Sequence, residues 1–589
     1  MLFVCTVSLL AIGGNTFVEM PETIASDRTS QKASSSQSSV DLAIGILDAG
    51  EVKHTVFNNG LLGTWGWAGY VIPELPAGWY KGYGYLPGLN IWLGIPEGPW
   101  NPPGIAGPTV SEAQLYGGTN RADWDPTPGS LGRYHSGDVA VGDLIPGAPL
   151  SDVPIMATST IPESWPEGYF DEQGNFIPTP WERHWPGPWA IDPGTGQEVE
   201  NVFTADKEVF FSITDDPFAS RDALTDQGYP IGVQLEISGY SYISTYDDFI
   251  SFPVKIINTS EHDYYGMYVG FYCDADVPEY NVEGIINDRM DWMGFNREHN
   301  AAYIFDYRWG TGDWPAIDPD AYKVYCGVKL LETPLDSNGV ELGLTDWHWF
   351  EWENRPGVVI QERQELIQYK VLSGDTTGLT PEEDAAYFHR DTEGNLDPHF
   401  DSPENIQRLY PNGLDCVFIM STGPFNLAAH ETTTYTFALL FGDDEDDFLA
   451  NCSLAQTLYE SNFIPAYPRV KDVCACVEQV SLDTSKVTVT VRAYDPDGIG
   501  KVMATFESPD EMVIDSLMLY DDGQHNDGDA ADSIYGNSWY VATPMRRYFV
   551  DIAVTDLLSY TASRSGCGTS GEQDLSDVDS QSTWSHGWL

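Results

Sequence analysis

Hydrophobic and polar positions alternate with a period of two through the middle of this chain, and that period predicts β-strands. In "IGVQLEISGYSY" the side chains of Val233, Leu235 and Ile237 fall on one face. In "FISFPVKIIN" the same period groups Ile250, Phe252, Val254 and Ile256, and in "MYVGFYC" it groups Met267, Val269, Phe271 and Cys273. Strands with one apolar face are half-buried, so several in succession predict antiparallel sheets stacked as a β-sandwich. The region closes with "DDEDDFLANCSLAQTLYESNF", whose acidic first turn complements the helix dipole and predicts a short helix near 446–462.

On either side the pattern changes. Residues 41–230 are dense in Gly, Pro and Trp, as in "HWPGPWAIDPGTG", and helices do not persist through such punctuation. A loop-rich β domain is expected there, followed by a β-sandwich domain over 231–465. After "IPAYPRV", strands in "KVTVTVRAY" and "YFVDIAVTD", the latter with Val550, Ile552 and Val554 inward, predict an immunoglobulin-like sandwich over 469–565. Residues 566–589 lack periodicity and read as a flexible tail. The fold class expected is all-β and multidomain.

Composition narrows the setting. Lys and Arg number 28 against 89 Asp and Glu, a formal charge of -61, which repels nucleic-acid phosphates and anionic lipid surfaces. Nucleic acid is therefore not an expected partner. The apolar run "MLFVCTVSLLAIGG" has the length of a signal peptide and leads into a polar stretch, so residues 1–40 read as signal and linker. No later run is apolar for long enough to span a bilayer. An extracellular or cell-surface protein is the expectation.

The acids suggest the chemistry. In "YDDGQHNDGDAADSIYG", Asp521, Asp522, Asp527, Asp529 and Asp532 are spaced by Gly and small residues, and such a loop can wrap carboxylates around a hard cation such as Ca2+. A solvated acidic hairpin loop is the other reading. Asp495 and Asp497 of "YDPDG", with Asp556 after the late strand, are expected at the same pole of an immunoglobulin-like module. They could share the ion, or DPDG could simply be a turn.

Enzyme signatures are missing. The sequence has no GxSxG elbow, no HExxH, no phosphate-cradling Gly-rich loop and no dinucleotide fingerprint. Glycoside hydrolysis stays open, since Glu351 and Glu353, two apart on a strand, would have α-carbons about 6.5–7 Å apart. Yet "WHWFEWE" carries bulky groups on both strand faces, Trp347 and Trp349 on one, His348, Phe350 and Trp352 on the other. A strand buried between two layers has that pattern. Seven of the eight cysteines lie beyond the leader, and Cys474 and Cys476 in "VCACV" are too close for a CxxC motif. Structural disulfides or buried thiols are the expectation for these cysteines.

Segments "TVFNNGLLG", "DDFISFPVKIIN", "YVGFYCDADV", "LTDWHWFEWENRPG", "YPNGLDCVFIMSTGPFNL" and "LYDDGQHNDGDAADSIYG" together resemble a group of large secreted β-rich surface proteins of marine and Bacteroidota-like bacteria. The group has no assigned activity, so the resemblance implies architecture and no catalytic residue. The last module also resembles immunoglobulin-like repeats of surface proteins, which implies calcium at Asp521, Asp522, Asp527, Asp529 and Asp532. The leading expectation is a non-catalytic protein of adhesion, matrix or envelope structure, stabilised by calcium and meeting a polysaccharide or a surface protein. The alternatives are a polysaccharide-binding protein or glycoside hydrolase, and a self-assembling subunit of a filament or layer.

Overall fold

In the computed structural model two eight-stranded antiparallel sheets face one another between residues 43 and 442. The structure describes residues 43–569 except 64–74, 114–123, 127–139, 171–175, 179–202, 216–228, 281–285, 288–290, 307–323, 353–362, 389–414, 509–512, 543–547 and a few shorter stretches. The expected signal and linker of residues 1–40 lie outside it.

The first sheet runs Ile44–Leu47, His54–Phe57, Leu61–Leu62, Gly88–Ile95, Tyr264–Asp274, Cys416–Leu427, Asp346–Glu351, with Thr109–Ser111 also against Gly88–Ile95. The second runs Asp291–Asn296, Ala301–Asp306, Tyr325–Glu332, Thr432–Gly442, Phe249–Asn258, Val233–Ser241, Lys207–Thr214, Asp125–Pro126. Their facing sides bury the residues that the period of two grouped: Val233, Leu235 and Ile237 from one sheet meet Met267, Val269, Phe271 and Cys273 from the other. At the centre the Phe271 ring lies 4.1 Å from Phe437 and 5.2 Å from Tyr435, and Phe437 stacks on Phe252 at 5.0 Å.

Both sheets are also covered on their outer sides. Helices Gln364–Ser373 and Pro381–Tyr387 lay Ile367, Val371, Leu372 and Tyr387 over Trp92, Tyr272, Phe350 and Ile419 of the first sheet. Helix Glu445–Glu460, which matches the expected acidic-ended helix, lays Phe448, Cys452, Ala455 and Leu458 over Phe249, Ala438 and Leu440 of the second. Its N-cap is Asp444, whose carboxylate accepts from the Asp447 N–H at 2.9 Å. Double coverage explains why Gly88–Ile95 is buried at every position rather than at alternate ones. No helix among the described residues is long and apolar enough to cross a membrane.

The all-β, multi-sandwich class holds, but a domain boundary at residue 230 does not. Lys207–Thr214 pairs along its length with Val233–Ser241, and Gly88–Ile95 pairs with Tyr264–Asp274. Segments on both sides of 230 thus share both sheets and one core. The change in Gly and Pro density marks where loops become long, whereas strand pairing is nonlocal and ignores it.

The last module is a separate sandwich of seven strands. Its first, second and fifth strands (Arg469–Gln479, Thr484–Tyr494, Ile534–Ala542) form one sheet. The other holds the fourth, third, sixth and seventh in that order (Val513–Leu519, Ile499–Glu507, Tyr548–Asp556, Thr561–Thr569). An immunoglobulin constant-type sandwich places the fourth strand beside the fifth; here it has moved to the third. Phe506 and Trp539 stack at 4.2 Å between the two sheets. The seventh strand takes in residues 566–569, which the sequence reading assigned to the tail; residues 570–589 lie outside the described structure.

Candidate functional site

The sequence nominates two places for chemistry: the aromatic strand around Trp349 and the acidic pole of the last module. Strand Asp346–Glu351 is the last of the first sheet, in register Trp347↔Met420, Trp349↔Phe418 and Glu351↔Cys416. The alternation sends Trp347 and Trp349 between the sheets, where they are 4% and 8% exposed. Trp347 stacks on Phe295 of the opposite sheet at 5.3 Å. On the other face His348 meets Phe388 edge-on at 4.8 Å, and Phe350 meets Tyr387 at 5.7 Å. Trp352 donates its indole N–H to Asp274 Oδ2 at 3.2 Å. Trp347 and Trp349 are buried packing groups, while Trp352 is half-buried. Glu351 is half-buried; Glu353 and Arg355 lie outside the described residues. Among tryptophans with a described side chain, only Trp79 is exposed, at 36%, on the small hairpin Trp79–Tyr80/Tyr83–Gly84.

Topology brings most of the nominated acids to one pole. The loop after Leu519 returns into the fifth strand at Ile534, whose partner is Arg492, three residues before Asp495. Asp556 ends the sixth strand opposite Ile499. Asp495 and Asp556 are both buried there, and Asp497 lies outside the described residues.

Within the loop the carboxylates turn to their own backbone. Asp527, 1% exposed, accepts from the N–H groups of Asp522 and Gly523 with Oδ2 and of His525 with Oδ1, at 2.5, 2.7 and 2.9 Å. Burial pushes its carboxyl up, but the backbone donors outweigh that and hold it below the usual carboxylate range. Asp521 accepts from Asp532 N–H at 3.2 Å and Ser533 N–H at 3.0 Å. Asp532 accepts from Asp529 N–H and Ile534 N–H, at 3.2 and 3.0 Å. Asp522 meets the His525 ring at 2.9 Å and accepts from Gln524 N–H at 2.9 Å. Positive φ at Gly523 and Gly528, and at Asn526, Ala531 and Ser533, lets the chain coil tightly enough for this.

A calcium site needs six to eight oxygens converging on one point. Among the described residues no three His, Cys, Asp or Glu side chains gather in that way. The described loop is held by its own backbone amides, which donate to Asp521, Asp522, Asp527 and Asp532. Asp529 contributes its N–H to the loop, donated to Asp532.

Sequence reasoning missed acids that serve the same purpose inside the sandwich. Asp215, fully buried, accepts from Ser111 Oγ and from the N–H groups of Ile231 and Val233, at 2.7, 2.7 and 2.8 Å. Glu112, also buried, accepts from the amides of Gln364 and Gln368 at 3.2 and 2.7 Å, fixing the covering helix. No local pattern announces these partners, which are 16 to 256 positions away. One signal was available: "TPEE" is a capping box, and Thr380 with Glu383 starts the second covering helix at Pro381. The joint between the modules, at "IPAYPRV", is docked against the sandwich. Tyr467 donates to Asp206 Oδ2 at 2.6 Å, and the buried Arg469 guanidinium donates to the carbonyls of Phe203 and Thr204.

No protein-family model and no curated protein matches this sequence. Among solved structures, a polysaccharide lyase aligns at 10% identity over 56% of this chain and 34% of its own, with a TM-score of 0.18. A β-glucuronidase of Parabacteroides merdae aligns at 10% identity over 44% of this chain and 32% of its own, with a TM-score of 0.15. The chain spans about a third of the length of these proteins. Likeness at that level assigns neither fold nor activity.

Proposed function

We propose that this chain is a non-catalytic protein of the cell surface or extracellular space, a rigid β scaffold for adhesion, matrix or envelope structure. The observation that carries this reading is the packing of strand Asp346–Glu351. Trp347, His348 and Phe350 are consumed in holding two sheets and a helical layer together. Rigidity is supported from three sides: sheets covered on both faces, a docked joint at Tyr467 and Arg469, and acidic side chains spent on backbone donors.

The test is direct. The purified chain is applied to a glycan array and incubated with acidic and neutral polysaccharides while new reducing ends and unsaturated products are measured. Turnover that disappears in Glu351→Gln or Glu353→Gln would overturn the reading. Binding without turnover would place the chain among polysaccharide-binding scaffolds.

A further inference from the structure

Four of the described cysteines, Cys273, Cys326, Cys416 and Cys452, are buried in the cores. Cys474 and Cys476 differ from all of these. They sit on the first strand of the last module, and the period of two turns both to the solvent face, while Ala475 between them is buried. Cys476 is exposed, Cys474 is half-exposed, and their sulfurs are 3.4 Å apart. Neighbouring strands continue the row in polar groups: Cys476 pairs with Thr488 and Thr488 with Ser538, whose hydroxyls are 3.1 Å apart.

From this geometry we infer that Cys474 and Cys476 form a reactive surface dithiol, which closes reversibly to a disulfide by exchange with small-molecule disulfides. The two sulfurs already face one another, so closure requires only the last part of the approach to a bond of about 2.05 Å. Residues two apart on an extended strand have α-carbons about 6.5–7 Å apart, at the upper limit of what a disulfide spans. The bond is thus strained, and strained, exposed disulfides are the readily reduced ones. Two features let the strand yield. It lies at the edge of its sheet, paired only with Thr484–Tyr494, and its register slips between Lys471 and Cys474.

In the reaction the exposed Cys476, as thiolate, attacks one sulfur of the small disulfide. One thiol leaves, taking up the proton that Cys476 lost, and a mixed disulfide remains. Cys474, deprotonated in turn, attacks the Cys476 sulfur and expels the second thiol with its proton. Two protein thiols and one small disulfide become one protein disulfide and two small thiols. The protein loses two electrons and the small disulfide gains them.

The test uses the full chain under native conditions with oxidised glutathione, followed by acid quenching, tryptic digestion and mass spectrometry. Peptide 472–486 contains both cysteines. The expected product is that peptide lighter by two hydrogens, restored by excess reduced glutathione, while Cys273, Cys326, Cys416 and Cys452 stay unmodified. Phenylarsine oxide should bind the reduced peptide once, bridging both sulfurs with loss of water. In Cys474→Ser the reaction should stop at a stable glutathione adduct on Cys476. Two glutathiones on the peptide, a disulfide joining it to another peptide, or no reaction would each overturn the inference. The mapping needs no variant, so a folding defect in Cys474→Ser leaves the test intact.

Discussion

The Trp347 ring stacks on that of Phe295 across the space between two sheets, with centroids 5.3 Å apart and planes 25° from parallel. This contact joins the last strand of one sheet to the first strand of the other, where each has a single ladder neighbour. Removing the indole should leave a cavity where the sandwich is least supported. Trp347→Ala is expected to cost about 3–5 kcal/mol in denaturant unfolding, whereas Trp79→Ala, on the surface, should stay within about 0.5 kcal/mol. A glycan whose binding is lost in Trp347→Ala without loss of stability would contradict the packing role.

The shared sheets predict how the chain divides. Residues 231–465 expressed alone lack Lys207–Thr214 and Gly88–Ile95, so both sheets lose an interior strand. The fragment should show no cooperative thermal transition, and the span 43–569 should show one. An independently folded 231–465 would mean that the common core is dispensable.

In the acidic loop Asp527 gathers three backbone N–H groups. Asp527→Asn keeps the shape but replaces one accepting oxygen by a donor facing donors. A loss on the order of 1–2 kcal/mol is expected, read as a lower melting temperature. The carboxyl is held below its ordinary value in the folded state, so its contribution is present above the unfolded pKa. It is lost as pH falls through the lower, folded value. Chelator should leave the melting temperature of the wild-type chain unchanged, because Asp521, Asp522, Asp527 and Asp532 already accept from backbone amides. A drop on chelation, reversed by calcium, would show that an ion organises this pole.

His54 should make the chain acid-sensitive at higher pH than its carboxylates do. Its ring is fully buried, accepts from Gly78 N–H at Nδ1 at 3.0 Å and meets Phe252 edge-on. Burial pulls its pKa from 6.5 down to about 3. The folded state therefore resists the proton: stability is complete above 6.5 and declines as pH falls from there to about 3. The full decline is roughly 4–5 kcal/mol. His54→Gln keeps an acceptor for Gly78 and does not titrate. Its unfolding free energy should change less than the wild type's between pH 7 and pH 4, and an unchanged pH dependence would remove His54 as the cause.

The acids divide in a way that composition does not convey. A charge of -61 predicts carboxylates at the rim, and many are there. Asp215, Glu112, Glu208 and Asp527 are instead buried as acceptors for backbone or side-chain amides. A carboxylate in a loop-rich fold can terminate several orphan N–H groups at once, which no apolar residue can do.

By itself the sequence determined the strands and the faces they bury, because the period of two is a local property of an extended backbone and each face is chosen residue by residue. It determined that "WHWFEW" lies between layers, since bulky groups on both faces of one strand admit little else. The short helix was legible for the same reason, its acidic first turn lying within one segment. Only the tertiary structure decided which strands pair, so that residue 230 divides nothing and the fourth strand of the last module sits beside the third. Pairing is set by shape and burial among segments as far apart as Phe249 and Leu440, and identical local patterns are compatible with many pairings. The same limit applies to the acids and thiols. Spacing showed which carboxylates are close in sequence, but whether they converge on an ion or turn to the backbone depended on how the loop coils. Spacing likewise placed Cys474 and Cys476 two apart, and only the packed module fixed both on its solvent face.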